Sequence, residues 1–277
     1  MADRSDDVLT AVVLAGGRGT RLLPYTTSFP KPLMPVGDRP ILDILLGQLA
    51  RHGFGRFVFA VGHLASLIEA YFGDGKHWGV QIEYSHEEHP LGTAAPLRLL
   101  VDCLPPQFLV VNGDVLSDLD YSEFFLAHRL NAPPRVLSIA THQRTLCSEY
   151  GVLQTAADGR VLDYLEKPSY PLCVSEGIYA FSREALNWIP AGQRMDFPEL
   201  VTALLCDNQP VHACEHTGLW LDIGRPEDFE RAQRLVTENP ERFAALRDAV
   251  HPTGDPHAGP VPVVEAVEMS STPRGGF

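Results

Sequence analysis

The sequence lacks several features that mark common classes of protein. Its 277 residues include only 5 cysteines and no C-x-x-C pair, which is a poor basis for a disulfide framework. Lys and Arg number 22 against 35 Asp and Glu, a formal net charge of -13. This charge repels phosphate backbones and anionic lipid, so we expect neither nucleic acid nor a membrane as partner.

No apolar run approaches the roughly 18 residues of a membrane-spanning helix. The first seven residues are polar and acidic, whereas a signal peptide needs a basic start and an apolar centre. Together with the unpaired cysteines, these absences predict a cytoplasmic protein.

Apolar segments of two kinds alternate in the first half of the chain. Continuous apolar runs predict buried strands at 8–15, 57–61 and 108–112, and a further strand is predicted at 80–84. Helical spacing of apolar residues predicts helices at 41–53, 64–72 and 93–101. Strands that alternate with helices predict an α/β fold with a Rossmann-like, mostly parallel sheet and helices on both faces.

The pattern changes after about residue 135 to short strands separated by turns. Strands are predicted at 136–141, 150–155, 161–165, 178–181 and 218–222, and helices at 199–206 and 227–236. We interpret 8–245 as one unit with two parts, the first at about 8–135 and the second a smaller β-rich lobe at about 136–222. Residues 250–277 are rich in Pro, Gly, Ser and Thr, and we expect them to be a disordered tail.

A glycine-rich segment, Leu-Ala-Gly-Gly-Arg-Gly-Thr-Arg-Leu at 14–22, directly follows the first predicted strand. Its glycines allow the backbone amides to approach a phosphate or a flat base. It matches neither the Walker loop nor the dinucleotide fingerprint, which would have a third glycine at Leu22. Arg18, Arg21 and Lys31 add three cations, which suit a triphosphate.

Three further strings follow predicted strands. Val-Asn-Gly-Asp-Val at 111–115 places Asp114 at the carboxyl end of a strand, and Gly-Leu-Trp-Leu-Asp-Ile-Gly at 218–224 does so for Asp222. Two such carboxylates can hold Mg²⁺, although each alone is more typical of a turn or a helix cap. The third string, Tyr-Leu-Glu-Lys-Pro at 164–168, carries a Glu-Lys pair.

Taken with Pro-Lys-Pro at 30–32, these strings resemble the sugar-phosphate nucleotidylyltransferases from about residue 8 to 229. The resemblance implies an EC 2.7.7 transferase of nucleotide-sugar biosynthesis. Such an enzyme joins a nucleoside triphosphate to a sugar 1-phosphate by direct in-line attack on the α-phosphorus and releases pyrophosphate. It also implies Mg²⁺ as cofactor.

The resemblance implies that the part at about 8–135 binds the nucleotide and that the lobe at about 136–222 binds the sugar. It also assigns roles to individual residues. The catalytic residues would be Arg21, Lys31, Asp114 and Lys167, and Asp114 and Asp222 would hold the metal. The nucleotide would bind at Leu14, Ala15, Gly16, Gly17, Gly19, Thr20, Gly92, Thr93, Asn112 and Gly113. The sugar phosphate would bind at Tyr150, Gly151, Glu166, Lys167, Gly177, Ile178 and Tyr179. Many relatives carry Asn where this chain has Ser175, so the sugar contacts there differ.

The sequence strings constrain the nucleotide base and the sugar less than they constrain the reaction class. The strings look most like mannose-1-phosphate or heptose-1-phosphate guanylyltransferases, which favours GTP. A glucose-1-phosphate adenylyl-, cytidylyl- or thymidylyltransferase and a non-catalytic nucleotide-sugar-binding relative are the alternatives. Homo-oligomers are common among relatives, and the sequence leaves this point open.

The remaining histidines and cysteines give weaker signals. His-Glu-Glu-His at 86–89 lacks the spacing of a zinc helix, so we expect a solvated loop. His63, His142 and His216 are expected to form local hydrogen bonds, and Cys206 to lie in the core.

Overall fold

A computed structural model describes residues 8–87, 89–132 and 134–238. The predicted tail at 250–277 and the end of the predicted 8–245 unit lie outside the described residues. The strands are β1 (Leu9–Ala15), β2 (Pro35–Val36), β3 (Arg39–Pro40), β4 (Phe54–Val61), β5 (Gln81–His86), β6 (Gln107–Asn112), β7 (Val115–Ser117), β8 (Leu137–Cys147), β9 (Val152–Thr155), β10 (Val161–Leu165), β11 (Ser169–Ser182), β12 (Val211–Glu215) and β13 (Trp220–Asp222). The α-helices are α1 (Ile41–Arg51), α2 (Ala65–Phe72), α3 (Tyr121–Arg129), α4 (Phe197–Cys206) and α5 (Pro226–Glu238).

The central sheet has 7 strands in the order β12-β8-β11-β6-β1-β4-β5. All neighbouring strands are parallel except that β11 runs antiparallel to both β6 and β8. The predicted α/β class with a mostly parallel sheet is therefore confirmed. The reversal at β11 brings the second half of the chain back beside the first.

Apolar side chains pack on both faces of the sheet, as the continuous runs predicted. In β1, Ala11 and Val13 belong to the core layer on one face, while Val12 belongs to the layer on the other. The first layer is closed by α1, α2 and α3, and the second by α4 and two short 3-10 helices. A third cluster packs α5 against the segment after the glycine-rich loop. None of the described helices combines the length and the apolar character that crossing a membrane requires.

The β-rich lobe is built from the ends of the two longest strands and a hairpin. β8 and β11 continue to pair beyond the sheet as far as Cys147 and Ser169, and β9 pairs with β10. Most side chains of this hairpin are exposed, in contrast to those of the central sheet. The division into two parts at about residue 135 stays a prediction.

Two local expectations need correction. The segment predicted as a helix at 93–101 forms a tight 3-10 helix at Ala95–Leu100, with Pro96 in its first turn. Cys206, expected in the core, is exposed. It is the last residue of α4, on the side of the helix that faces away from the sheet, because Leu200 and Leu204 occupy the buried side.

Candidate active site

A cavity of about 630 Å³ opens at the carboxyl ends of β1, β4 and β6, which is where ligands collect in open α/β sheets. Nine of the ten residues predicted to bind nucleotide line it. They are Leu14, Ala15, Gly16, Gly17, Gly19, Thr20, Gly92, Thr93 and Asn112. Gly113, the tenth, instead packs against β1, where its amide donates to the Leu14 carbonyl at 2.9 Å.

The glycine-rich loop forms the floor of this cavity. Gly19 has φ +61°, a left-handed conformation, and a Cβ there would lie 2.8 Å from Cγ2 of Thr26. The Thr26 hydroxyl in turn donates to the Gly19 carbonyl at 2.8 Å. These contacts fix the turn that presents the loop to the cavity, so a glycine is required for both backbone and packing reasons.

A charged cluster lies at one end of the cavity. Lys31 is 8% exposed, and its ammonium group contacts Oδ2 of Asp114. Burial and the neighbouring Asp114 raise the pKa of Asp222, while Lys31 and Arg21 oppose the shift. Two carboxylates and two cations therefore meet at this end of the cavity. They are Asp114, Asp222, Lys31 and Arg21.

The acidic pair suits a hard divalent cation. Asp114 is partly exposed to the cavity, and Asp222 is close enough to disfavour a second negative charge. Both carboxylates line the open cavity, so water and phosphate oxygens can complete the coordination shell of a cation there. Mg²⁺ prefers such oxygen ligands. The side chains present thus fit the ion that the sequence predicts.

The opposite wall contains residues that sequence reasoning did not single out. Glu87 follows β5, and its Oε1 lies 2.8 Å from where a Cβ on Gly16 would be. Its Oε2 accepts a hydrogen bond from the Leu91 amide at 2.9 Å, and burial raises the pKa of this carboxyl. The expected solvated loop at 86–89 is therefore wrong in part. His86 and His89 are exposed, but His86 ends β5 and Glu87 is half-buried in the cavity wall.

Thr93 is tied to the start of α4. Its amide donates to Oδ1 of Asp196 at 2.9 Å, and its hydroxyl accepts from the Phe197 amide at 2.9 Å. Asp196 also caps α4 together with Glu199. Helix α4 thus positions one side of the cavity, a role that no local pattern indicated.

The residues predicted to bind the sugar phosphate are placed less uniformly, and none of them lines this cavity. Tyr150 is 78% exposed. Gly151 packs against Tyr164, whose hydroxyl donates to Oε2 of Glu166 at 3.0 Å. Lys167 has φ +44°, so this lobe holds a non-glycine residue in a left-handed conformation.

The second group of these residues lies on β11. Gly177 touches Asn112, because a Cβ on it would lie 2.5 Å from the Asn112 amide nitrogen. Ile178 is fully buried in the core, and Tyr179 stacks on Phe197 with ring centroids 4.2 Å apart. Only Gly177 of the three therefore connects the lobe directly to the cavity wall.

His142 and His216 do form local hydrogen bonds, as expected, but they also meet a buried acid. Glu176 lies between them, a contact that the sequence did not predict. The one signal in the sequence was that Glu176 is the single charged residue of β11.

Residues 10–239 match the nucleotidyl transferase family. This chain belongs to that family. It is 36% identical over 249 residues to the UTP–glucose-1-phosphate uridylyltransferase of Synechocystis sp., covering 82% of this chain and 63% of that protein. It is also 36% identical over 242 residues to the mannose-1-phosphate guanylyltransferase of Mycobacterium tuberculosis, covering 86% and 67%. The chain thus spans about two thirds of the length of these nucleotidyl transferases.

Solved structures agree with the family assignment. HddC from Yersinia pseudotuberculosis, 26% identical, superposes with a TM-score of 0.64 over 82% of this chain and 99% of that one. HddC complexed with GMP-PN gives a TM-score of 0.65 at the same identity. A glucose-1-phosphate thymidylyltransferase from Bacillus anthracis, described as putative and 21% identical, shares the fold with a TM-score of 0.66.

Proposed function

We propose that this nucleotidyl transferase joins a nucleoside triphosphate to a sugar 1-phosphate and releases pyrophosphate. The observation that carries the proposal is the meeting of Lys31, Asp114, Asp222 and Arg21 at the end of a glycine-lined cavity. Two cations and a pair of carboxylates beside accessible backbone amides form a site for a metal-bound triphosphate.

The proposed reaction needs no nucleophile from the protein. An oxygen of the sugar phosphate attacks the α-phosphorus, and the bond to the bridging oxygen of pyrophosphate breaks in line with it. Both reactants are anions, so the protein's main task is to position them and neutralise charge. Lys31 and Arg21 stabilise the charge on the transferred and leaving groups, and Lys167 orients the sugar phosphate.

Asp114 and Asp222 are the residues that would hold Mg²⁺. When bound, the ion supplies charge neutralisation for phosphate oxygens. Lys31 keeps Asp114 in place from the buried side, so the carboxylate is oriented before the ligand arrives.

The cavity wall supports GTP as the preferred nucleotide. Glu87 places a carboxylate beside Gly16, within the space lined by the glycine-rich loop. A carboxylate accepts two hydrogen bonds from the N1–H and 2-amino groups of guanine, whereas uracil and thymine offer one such donor. The relatives include one uridylyltransferase and several guanylyltransferases, so their names alone do not decide the base.

For the acceptor we propose a mannose-like or heptose-like 1-phosphate. The support is the mannose-1-phosphate guanylyltransferases among the relatives, one of which is 36% identical to this chain. Ser175 is hydrogen-bonded to the Tyr179 hydroxyl at 3.1 Å, so its side chain is already engaged.

The test is pyrophosphate release by the full chain in the presence of Mg²⁺. The five common nucleoside triphosphates are crossed with the 1-phosphates of mannose, glucose and heptose. Release that is highest for GTP with mannose or heptose 1-phosphate is expected. Turnover with a different pair would correct the base or the sugar. Binding of a nucleotide sugar without turnover by any pair would replace the enzyme proposal by that of a regulatory relative.

A further inference from the structure

Three side chains of the kind that bind transition metals meet on neighbouring strands. His142 lies on β8, Glu176 on β11, and His216 directly follows β12. One nitrogen or oxygen from each lies within 4.8 Å of the other two. Within 8–87, 89–132 and 134–238, no other group of three or more His, Cys, Asp and Glu residues meets this spacing.

This cluster is distinct from the acidic pair of the candidate active site. Asp114 precedes β7, whereas Asp118, which touches the cluster, follows the same strand. β7 pairs antiparallel with β13, which ends at Asp222. The two groups therefore lie at opposite ends of a three-residue ribbon, on the order of 10 Å long.

Glu176 is the least expected member because its side chain is completely buried. Its Oε1 lies 2.8 Å from Nδ1 of His216 and 3.4 Å from Nδ1 of His142. Its Oε2 is also buried and has no hydrogen-bond partner among the described residues. A buried carboxylate oxygen without a partner is costly, and a bound cation would compensate it.

The second nitrogen of His216 is held in the way that metal-binding histidines usually are. Its Nε2 lies 3.0 Å from Oδ1 of Asp118, and that oxygen also accepts from the Leu219 amide at 2.6 Å. Donation from Nε2–H to Asp118 leaves the Nδ1 lone pair free for a metal and fixes the ring orientation. With both carboxylates ionised, His216 can satisfy both contacts without a metal only as an imidazolium.

His142 completes the set from the more exposed side. Its Nδ1 lies 2.9 Å from the carbonyl oxygen of His216. A neutral His142 donates from Nδ1–H to this carbonyl, and moving that proton to Nε2 frees the Nδ1 lone pair for a metal. The imidazolium form of His216 would release its Nδ1 proton on binding the metal.

We propose that His142, Glu176 and His216 bind one divalent transition-metal ion, with Zn²⁺ as the representative, which fastens three adjacent strands of the sheet. Two imidazoles and one carboxylate favour Zn²⁺ over Mg²⁺, which prefers oxygen ligands. β13 is joined to the same strand, because Trp220 Nε1 donates to the Glu176 backbone carbonyl at 3.0 Å. The proposal does not depend on the reaction proposed above.

The experiment titrates the metal-stripped full chain with Zn²⁺, and with Co²⁺ as a visible probe of coordination. Expected are one tightly bound Zn²⁺ per chain, a Co²⁺ d–d absorption band, and a higher Tm with Zn²⁺ than with an equal concentration of Mg²⁺. His142→Ala, His216→Ala and Glu176→Gln should abolish the band. Asp118→Ala should weaken binding by about 10- to 100-fold, since it removes the hydrogen bond that orients His216 but none of the three ligands.

Two control variants separate this site from others. His52 is also a histidine beside a carboxylate, Asp120, at 3.2 Å. Among the residues that the structure describes, no second histidine joins this pair, so His52→Ala should bind Zn²⁺ as the wild type does. Asp222→Asn should also keep Zn²⁺ binding while affecting the candidate active site.

The proposal is overturned if the folded wild type shows no Co²⁺ band. It is equally overturned if Asp222→Asn, and not His142→Ala, removes the bound Zn²⁺. If Glu176→Gln fails to fold, His142→Ala decides, because the His142 side chain is partly exposed and Glu176 keeps His216 as a partner without it.

Discussion

The ammonium group of Lys31 contacts Oδ2 of Asp114, although 83 residues separate them in the sequence. Lys31 begins a short 3-10 helix after Pro30, and Asp114 follows β6. The contact joins the segment after the glycine-rich loop to the carboxyl end of the neighbouring strand. It is the structural centre of the proposed triphosphate site.

Replacing Lys31 by Met should therefore remove most turnover. We expect kcat/KM for pyrophosphate release to fall by about 100- to 1,000-fold, because a fixed cation is lost where charge develops. Lys76→Met is the matched control, since Lys76 pairs with Asp74 at 2.5 Å on the exposed surface. Near-normal turnover by a folded Lys31→Met variant would contradict the role of Lys31.

Replacing Glu87 by Gln should change base selection more than catalysis. The amide keeps the size of the side chain but loses one acceptor, so the preference for GTP over UTP should fall by about 10- to 100-fold. Glu83→Gln serves as the control, because Glu83 lies on β5 and pairs with Arg56 outside the cavity. The ratio of kcat/KM values for the two nucleotides is the measurement. An unchanged ratio in Glu87→Gln would remove the structural support for GTP.

Alanine substitutions at Gly177 and Gly192 should separate the cost of a packing clash from the cost of backbone strain. Both have positive φ, +77° and +70°, but a Cβ on Gly192 meets nothing within 4 Å, whereas one on Gly177 would strike Asn112. Gly192→Ala should cost about 1 kcal/mol of unfolding free energy from strain alone. Gly177→Ala should cost about 1–3 kcal/mol more and should raise the KM for substrates, because Asn112 must move. Urea unfolding and steady-state kinetics test this, and equal losses in the two variants would contradict it.

The burial of His128 predicts that the free energy of unfolding depends on pH. His128 lies on α3, and its side chain is buried against β8, with Nδ1 2.9 Å from the Ser138 hydroxyl oxygen. Burial lowers the pKa of His128 to about 4. The unfolded chain, with a histidine pKa of about 6.5, binds more protons between these values. His128 therefore contributes stability that is present above about pH 6.5 and is lost as the pH falls towards 4.

The loss attributable to His128 should be on the order of 2–3 kcal/mol at pH 4. Carboxylates also titrate in this range, so the measurement is the difference in unfolding free energy between wild type and His128→Gln, followed from pH 7.5 to 4. That difference should shrink as the pH falls. The exposed His77, changed to Gln, should give a difference that is nearly independent of pH. Parallel curves for wild type and His128→Gln would contradict the assignment.

Much of the fold was readable from local patterns. Continuous apolar runs predicted β1, β4 and β6, because a strand buried on both faces has no polar side to display. The glycine-rich loop was equally local, since its turn depends on residues within ten positions, such as Gly19 and Thr26. The family resemblance followed from the same short strings.

What the sequence by itself determined is thus the α/β class, the loop and the identity of most residues around the cavity. Tertiary structure alone decided that β11 runs antiparallel between β6 and β8, and that Glu87 faces Gly16. It also brought His142, Glu176 and His216 together. Periodicity reports only whether a side chain is buried, whereas these contacts depend on the order of strands in the sheet, which no local pattern encodes.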